Sequence, residues 1–188
     1  AIENGADVIN MSFGGEGFSE FLTDVLQTAY SSSILVAAAG NSSKPNEDIG
    51  ALEGEMIFPA HLPFVIGVMA SRRNPLANGD YLSSFSNWDS ILNNSIEYEV
   101  MAPGVQIYST LPGNSYGNKS GSSMATPIVS GIAALFRSYF DDKSIYDSDY
   151  IFNQITGTGV MKKALTLSGN LVFSYREVNA YNAITNYI

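Results

Sequence analysis

Residues 8–39, VINMSFGGEGFSEFLTDVLQTAYSSSILVAAA, decide the fold. Val8 to Phe13 is a short run of strand formers that stops at Gly14-Gly15-Glu16-Gly17, a tight loop. Phe18, Phe21, Leu22, Val25, Leu26 and Ala29 then recur at helical spacing, which predicts an amphipathic helix over 18–31, closed by Ser31-Ser32-Ser33. Ile34 to Ala39 follows as a near-continuous apolar run ended by Gly40, the pattern of a strand buried on both faces. Strand, helix and buried strand in that order make a βαβ unit. Such a unit implies an α/β fold, a mostly parallel sheet with helices on both faces.

Downstream, Asn41 to Gly54 is polar, acidic and rich in Gly and Ser, so an exposed excursion is expected there. Phe64 to Ala70 is another strand, and Arg72 to Tyr98 mixes turn signals with short strands. Val100 to Val105 is a strand broken by Pro103-Gly104, and Ser109 to Ser120 reads as loop. Ser123 to Phe140 reads as a helix with Pro127 in its first turns, where a missing N–H is tolerated. It is apolar nearly all round, which places it in the middle of a protein. Helices around Tyr150 to Ile155 and Val178 to Tyr187 flank a hairpin-like stretch over Gly157 to Tyr175. No repeat or linker interrupts the chain. It reads as one α/β domain.

Composition removes several function classes. With 45% hydrophobic and 14% charged residues, the chain can build a core and is not disordered. Acidic residues outnumber basic ones 18 to 9, for a net charge of -9, which argues against nucleic acid because phosphates need clustered cations. Apolar runs such as Ile34 to Ala39 fall far short of the roughly 20 residues of a membrane helix, so no span is expected. The absence of cysteine excludes a disulfide framework, a thiol nucleophile and a Cys-held metal. A single histidine excludes any site that needs two. The opening AIENGADVINMSFGG lacks an initiator Met, a basic region and an apolar signal core, and reads as a mature or cleaved start.

The chemistry concentrates in Gly121-Ser122-Ser123-Met124-Ala125-Thr126-Pro127. Small residues ahead of Ser123 allow a sharp turn into the helix, whose first N–H groups and positive dipole end face the serine. A serine so placed can attack a carbonyl while the same N–H groups hold the developing oxyanion. On the local pattern alone, a simple N-cap serine is the competing reading.

These seven residues together resemble the nucleophile motif of the subtilisin-like serine proteases, G-T-S-M-A-x-P, with Ser122 in place of Thr. Ala37-Ala38-Ala39-Gly40-Asn41 resembles the family's oxyanion-asparagine segment, and DVINMSFGG at 7–15 the strand lining its substrate cleft. VMAPGV at 100–105 with IYSTLPGN at 107–114 is similar to the stretch running toward the nucleophile, and VNAYNAI at 178–184 to the closing helix. The order matches throughout, so the resemblance covers essentially the whole chain.

That resemblance implies a role for each matching residue. Ser123 would be the nucleophile, and Asn41 would donate its side-chain amide to the oxyanion beside the Ser123 backbone N–H. Ser12, Phe13 and Gly14 would pair through their backbone with an extended polypeptide substrate. Ala38, Ala39 and Gly40 would wall the pocket for the side chain before the scissile bond, and Ser122 would adjoin the substrate. Ile57 falls at that pocket's floor, where the family has a small residue, so a shallow pocket for small or medium apolar side chains is expected. Phe58-Pro59 resembles a cis X–Pro turn of the family. No cofactor is required. A structural calcium or other cation would sit at the carbonyls of Ala60, Leu62 and Val65 with Glu99, although solvated acidic loops account for the same residues. A secreted or cell-surface setting is expected over a cytoplasmic one.

One half of the machinery has no counterpart here. A serine needs a base and the base an orienting acid, and in this family Asp and His precede the cleft strand. His61 lies after Asn41 in FPAHLPF, where the family has no catalytic residue, and no Ser stands three residues before any Lys. The chain therefore reads as the C-terminal portion of a single catalytic domain. Its expected partner is an N-terminal fragment carrying Asp and His. Without that fragment the fold is incomplete, the sheet has bare edges and the chain is inactive. Two other readings compete: an inactive pseudoprotease serving as a binding or activating partner, and nucleotide binding at Gly14-Gly15-Glu16-Gly17. The latter lacks a third glycine and a Walker lysine.

Overall fold

A computed structural model describes residues 1–43, 56–74, 79–89, 98–165 and 171–186. A 3-10 turn at Ile2–Asn4 leads into β1 (Val8–Met11), β2 (Gly15–Glu16), α1 (Glu20–Tyr30) and β3 (Ile34–Ala38). Next come β4 (Ile57–Phe58), β5 (Ile66–Asn74), β6 (Gly79–Leu82) and β7 (Val100–Pro103). The remainder is β8 (Ile107–Leu111), β9 (Ser115–Lys119), α2 (Ser122–Tyr139), α3 (Ser148–Gly157), β10 (Val160–Leu165), β11 (Leu171–Glu177) and α4 (Ala180–Thr185).

The main sheet runs β1-β3-β5-β7-β11-β10, with β6 on the far half of β5. From β1 through β11 the neighbours are parallel; β10 and β6 are antiparallel additions. Alternation along the strands splits the core into two layers. Ile34, Val36, Ile66, Val68, Val100 and Ala102 face α2, α3 and α4, while Leu35, Ala37, Met69 and Met101 face α1 and the 60–65 turn. Every residue of β3 is buried, as a central parallel strand requires. Each fully buried Leu, Ile or Val contributes about 1.5–3 kcal/mol of burial.

Local chemistry sets the helix starts. Ser19, Asp147 and Asn179 cap α1, α3 and α4, each side chain accepting an N–H in the first turn. The expected helices, the 157–175 hairpin and the helices on both faces are present. Two expectations change. The stretch read as loop over 109–120 is a hairpin, β8 against β9, with Tyr108 and Tyr116 stacked at 6.0 Å on one face. And α2 is not enclosed: Leu135 and Tyr139 are 56% and 70% exposed, because no other described element covers that flank. β1 pairs only with β3 among the described residues, so its other edge is bare. Residues 44–54, most of the expected excursion, lie outside the described residues.

Candidate active site

The parallel register Met11↔Ala37 brings the ends of β1 and β3 out of the sheet side by side. Ligand sites in such sheets form where the strands end. Ser12, Phe13 and Gly14 leave β1 half-exposed or exposed, and no hydrogen bond engages the backbone of Phe13 or Gly14 among the described residues. Ala38 and Ala39 are buried, Gly40 is half-buried and Asn41 is exposed.

The start of α2 meets the end of β3. Gly121 is the N-cap and offers no side-chain cap; its N–H donates to the Gly104 carbonyl at 2.8 Å. The cap comes from 81 positions away: Asn41 Oδ1 accepts the Ser122 N–H at 2.7 Å. In return, Ser122 Oγ accepts the Gly40 N–H at 3.1 Å. Ser123 is therefore the second residue of the helix, not its cap, and it is half-exposed. Its hydroxyl and backbone N–H, like the Asn41 Nδ2 group, have no partner among the described residues. A hydroxyl and two free donors thus gather at a helix N-terminus whose first turn holds no carboxylate. Such an array can hold an oxyanion formed where the hydroxyl attacks.

Ile57 stands between Gly14 and Gly40. β2 and β4 form a two-stranded ladder, Gly15↔Phe58 and Glu16↔Ile57, which carries Ile57 beneath the cleft. A Cβ on Gly14 would lie 2.5 Å from Ile57 Cγ2, and one on Gly40 would lie 3.0 Å from Ile57 Cγ1. The Ile57 side chain is thus wedged between the two cleft walls, 7% exposed, with its N–H donating to the buried Tyr98 hydroxyl at 3.2 Å. The Phe58-Pro59 bond is cis.

The structure brings Gly14, Ala38, Gly40, Asn41, Ile57, Ser122 and Ser123 together, with Ser12, Phe13 and Ala39 beside them in the chain. Ser122 is fully buried, and its side chain holds the Gly40 loop. His61 packs its ring on Phe58 at 5.4 Å, in the turn after β4. Of the groups expected for a cation, the Leu62 carbonyl accepts the Val65 N–H at 2.9 Å and Glu99 Oε2 the Gly67 N–H at 2.6 Å. Those bonds engage half of the set internally. Asn87, which the sequence did not single out, is fully buried against Gly40. Its only sequence signal is a polar amide after Phe85-Ser86.

Comparisons with known proteins point to one family. The profile of the subtilase family, peptidase S8, matches residues 1–180. Subtilisin E of Bacillus subtilis (strain 168) is 44% identical over 138 residues, covering 73% of this chain and 32% of that protein. The thermophilic serine proteinase of Bacillus sp. (strain AK1) is 34% identical over 188 residues, covering 98% of this chain and 39% of that protein. The major intracellular serine protease of Bacillus subtilis (strain 168) is 34% identical over 174 residues, 90% of this chain and 50% of that protein. The chain thus spans about a third to a half of these relatives' length. Among solved structures, the S218A mutant of the PatA protease domain superposes with a TM-score of 0.71 at 25% identity, covering 98% of this chain and 60% of that one. The prenylagaramide maturation protease PagA gives 0.73 at 24% identity, covering 97% and 62%, a likeness of fold.

Proposed function

This chain belongs to the subtilase family, and from that premise we propose that it carries the nucleophile and oxyanion half of a serine endopeptidase. The carrying observation is the pairing of Asn41 Oδ1 with the Ser122 N–H, which sets the Asn41 amide beside the half-exposed Ser123. An extended polypeptide pairs with the backbone of Ser12, Phe13 and Gly14. The side chain before its scissile bond enters between Gly14 and Ala38 to Gly40, above Ile57. Ser123 Oγ attacks the carbonyl carbon as its proton passes to a histidine, and the carbonyl electrons move to the oxygen. Asn41 Nδ2 and the Ser123 N–H bind that oxyanion. Its collapse breaks the C–N bond, the amine leaves with the histidine's proton, and water then hydrolyses the acyl-enzyme. No cofactor takes part. A cation held by Ala60, Leu62, Val65 and Glu99 would serve stability alone.

The histidine and its orienting aspartate belong to an N-terminal segment, which we place along the bare edge of β1 and the exposed flank of α2. We assign the protease to the cell exterior, although one relative is intracellular by its name. Among the described residues no helix is long and apolar enough to cross a membrane. A fluorophosphonate probe applied to the complete protein tests the proposal. A covalent adduct at Ser123, absent in Ser123→Ala, is the expected result. A complete, folded protein that never reacts would instead be a pseudoprotease.

A further inference from the structure

Asn41 stands on an exposed loop, yet an oxyanion donor has to be held in place before the substrate arrives. Ser122 supplies one side of the restraint. The other comes from the 83–87 segment, fastened to the middle of the sheet. Ser83 N–H donates to the Ala70 carbonyl at 2.8 Å, and Ser86 Oγ accepts the Ala70 N–H at 2.9 Å. From that base Asn87 reaches both neighbours of Asn41. Its backbone N–H donates to the Gly40 carbonyl at 3.1 Å, and its Oδ1 accepts the Ser42 N–H at 2.8 Å. One residue further, Ser43 N–H donates to the Phe85 carbonyl at 3.0 Å. Asn87 is fully buried, and a Cβ on Gly40 would come within 2.5 Å of its Nδ2. No slack remains between the two segments. Any shift of Asn87 therefore moves Gly40 and Ser42 together, and with them the Asn41 amide between them.

We infer that Asn87 is a positioning residue for the oxyanion site: by clamping Gly40 and Ser42 from the core, it aims the Asn41 amide at the carbonyl oxygen. The inference rests on the oxyanion role proposed for Asn41. Asn87 touches no reacting atom. It acts through Asn41 alone, so its effect must vanish when the Asn41 amide is gone.

The test is a double-mutant cycle on the complete, assembled protease, using Asn87→Ala in the wild-type and Asn41→Ala backgrounds. In the wild-type background Asn87→Ala lowers kcat about tenfold or more with KM within about twofold, the scale expected of a displaced catalytic group. In the Asn41→Ala background the same substitution changes kcat less than about twofold. An equal loss in both backgrounds, or a loss confined to KM, overturns the inference. If Asn87→Ala does not fold, Asn87→Ser, which keeps an acceptor oxygen, carries the same comparison with a smaller loss. Failure of both to fold assigns Asn87 to stability and rejects the positioning role. The Asn41 side-chain amide resonance gives a readout independent of turnover: one sharp pair in the wild type, broadened or doubled in the Asn87 variant. Absence of fluorophosphonate labelling in the wild type would reject the protease reading instead, whatever that resonance shows.

Discussion

Asn41 and Ser122, 81 positions apart, cap each other's segments: the Ser122 N–H donates to Asn41 Oδ1, and Ser122 Oγ accepts from the N–H of Gly40. The helix that presents Ser123 and the loop that presents Asn41 are therefore one unit. Whatever loosens one displaces the other.

Asn41→Ala removes the proposed oxyanion donor and the helix cap together. A kcat lower by about 10²–10³-fold is expected, a figure that comes from subtilisin itself. KM should change little, since the donor acts on charge that develops in the transition state. Steady-state kinetics on peptide anilides reads this. A KM effect without a kcat effect would place Asn41 outside the oxyanion site.

Ser122→Ala leaves the partly buried Gly40 N–H without an acceptor, at a cost of about 1–3 kcal/mol. Denaturant titration of the assembled protease should show a lower midpoint, and kcat should fall with it as the Asn41 loop loosens. Ser122→Thr keeps the acceptor and should retain both properties. An unchanged midpoint in the alanine variant would contradict the bond.

Ile57→Gly should deepen the pocket between Gly14 and Gly40. In a peptide library the parent protein should favour small or medium apolar residues before the scissile bond. The variant should gain about tenfold or more in kcat/KM for Phe and Tyr, since a filled pocket discriminates by steric exclusion. A parent profile already dominated by Phe and Tyr would contradict the wedge.

Tyr175 and Tyr30 predict alkaline lability. Burial, then the Asp89 charge, pushes the Tyr175 hydroxyl well above its usual range. Burial, then a 2.6 Å bond to Asp149, does the same for Tyr30. A raised folded value means the folded state holds the proton more tightly. That stability is fully present below about pH 10, the unfolded value, and is lost as pH climbs above it. Denaturant midpoints should be flat between pH 8 and 9.5 and fall by pH 11. Tyr175→Phe should flatten that fall, and an equally steep fall in the variant would refute the assignment.

The fold was legible wherever apolar periodicity was strong. The run Ile34 to Ala38 reads as one unbroken apolar strand because both faces of β3 are covered, and the spacing over 18–31 marks its helix through the face that buries Leu26 and Ala29. The β8–β9 hairpin escaped detection because both its faces are largely wet: Tyr108, Ser109 and Thr110 are all exposed, so no alternation marks the strands. The candidate site was legible through the motif around Ser123 and through Asn41. Asn87 was not, because its role lies in a contact across 45 positions with Ser42, and an amide inside a turn-rich segment carries no periodic signal. Nor could the helix spanning 122–139 reveal its exposed flank. An apolar residue that awaits a partner reads like one that already has it.

The two unengaged donors beside Ser123 have a consequence for ligand binding. Their orientation is set by internal hydrogen bonds and needs no proton donor or acceptor from elsewhere, so their field is present at any pH that leaves the fold intact. A compound that already carries a tetrahedral, negatively charged centre, such as a peptidyl phosphonate monoanion, asks for that field and for little help from a base. Affinity for such mimics should therefore outlast the loss of the histidine, while turnover would not.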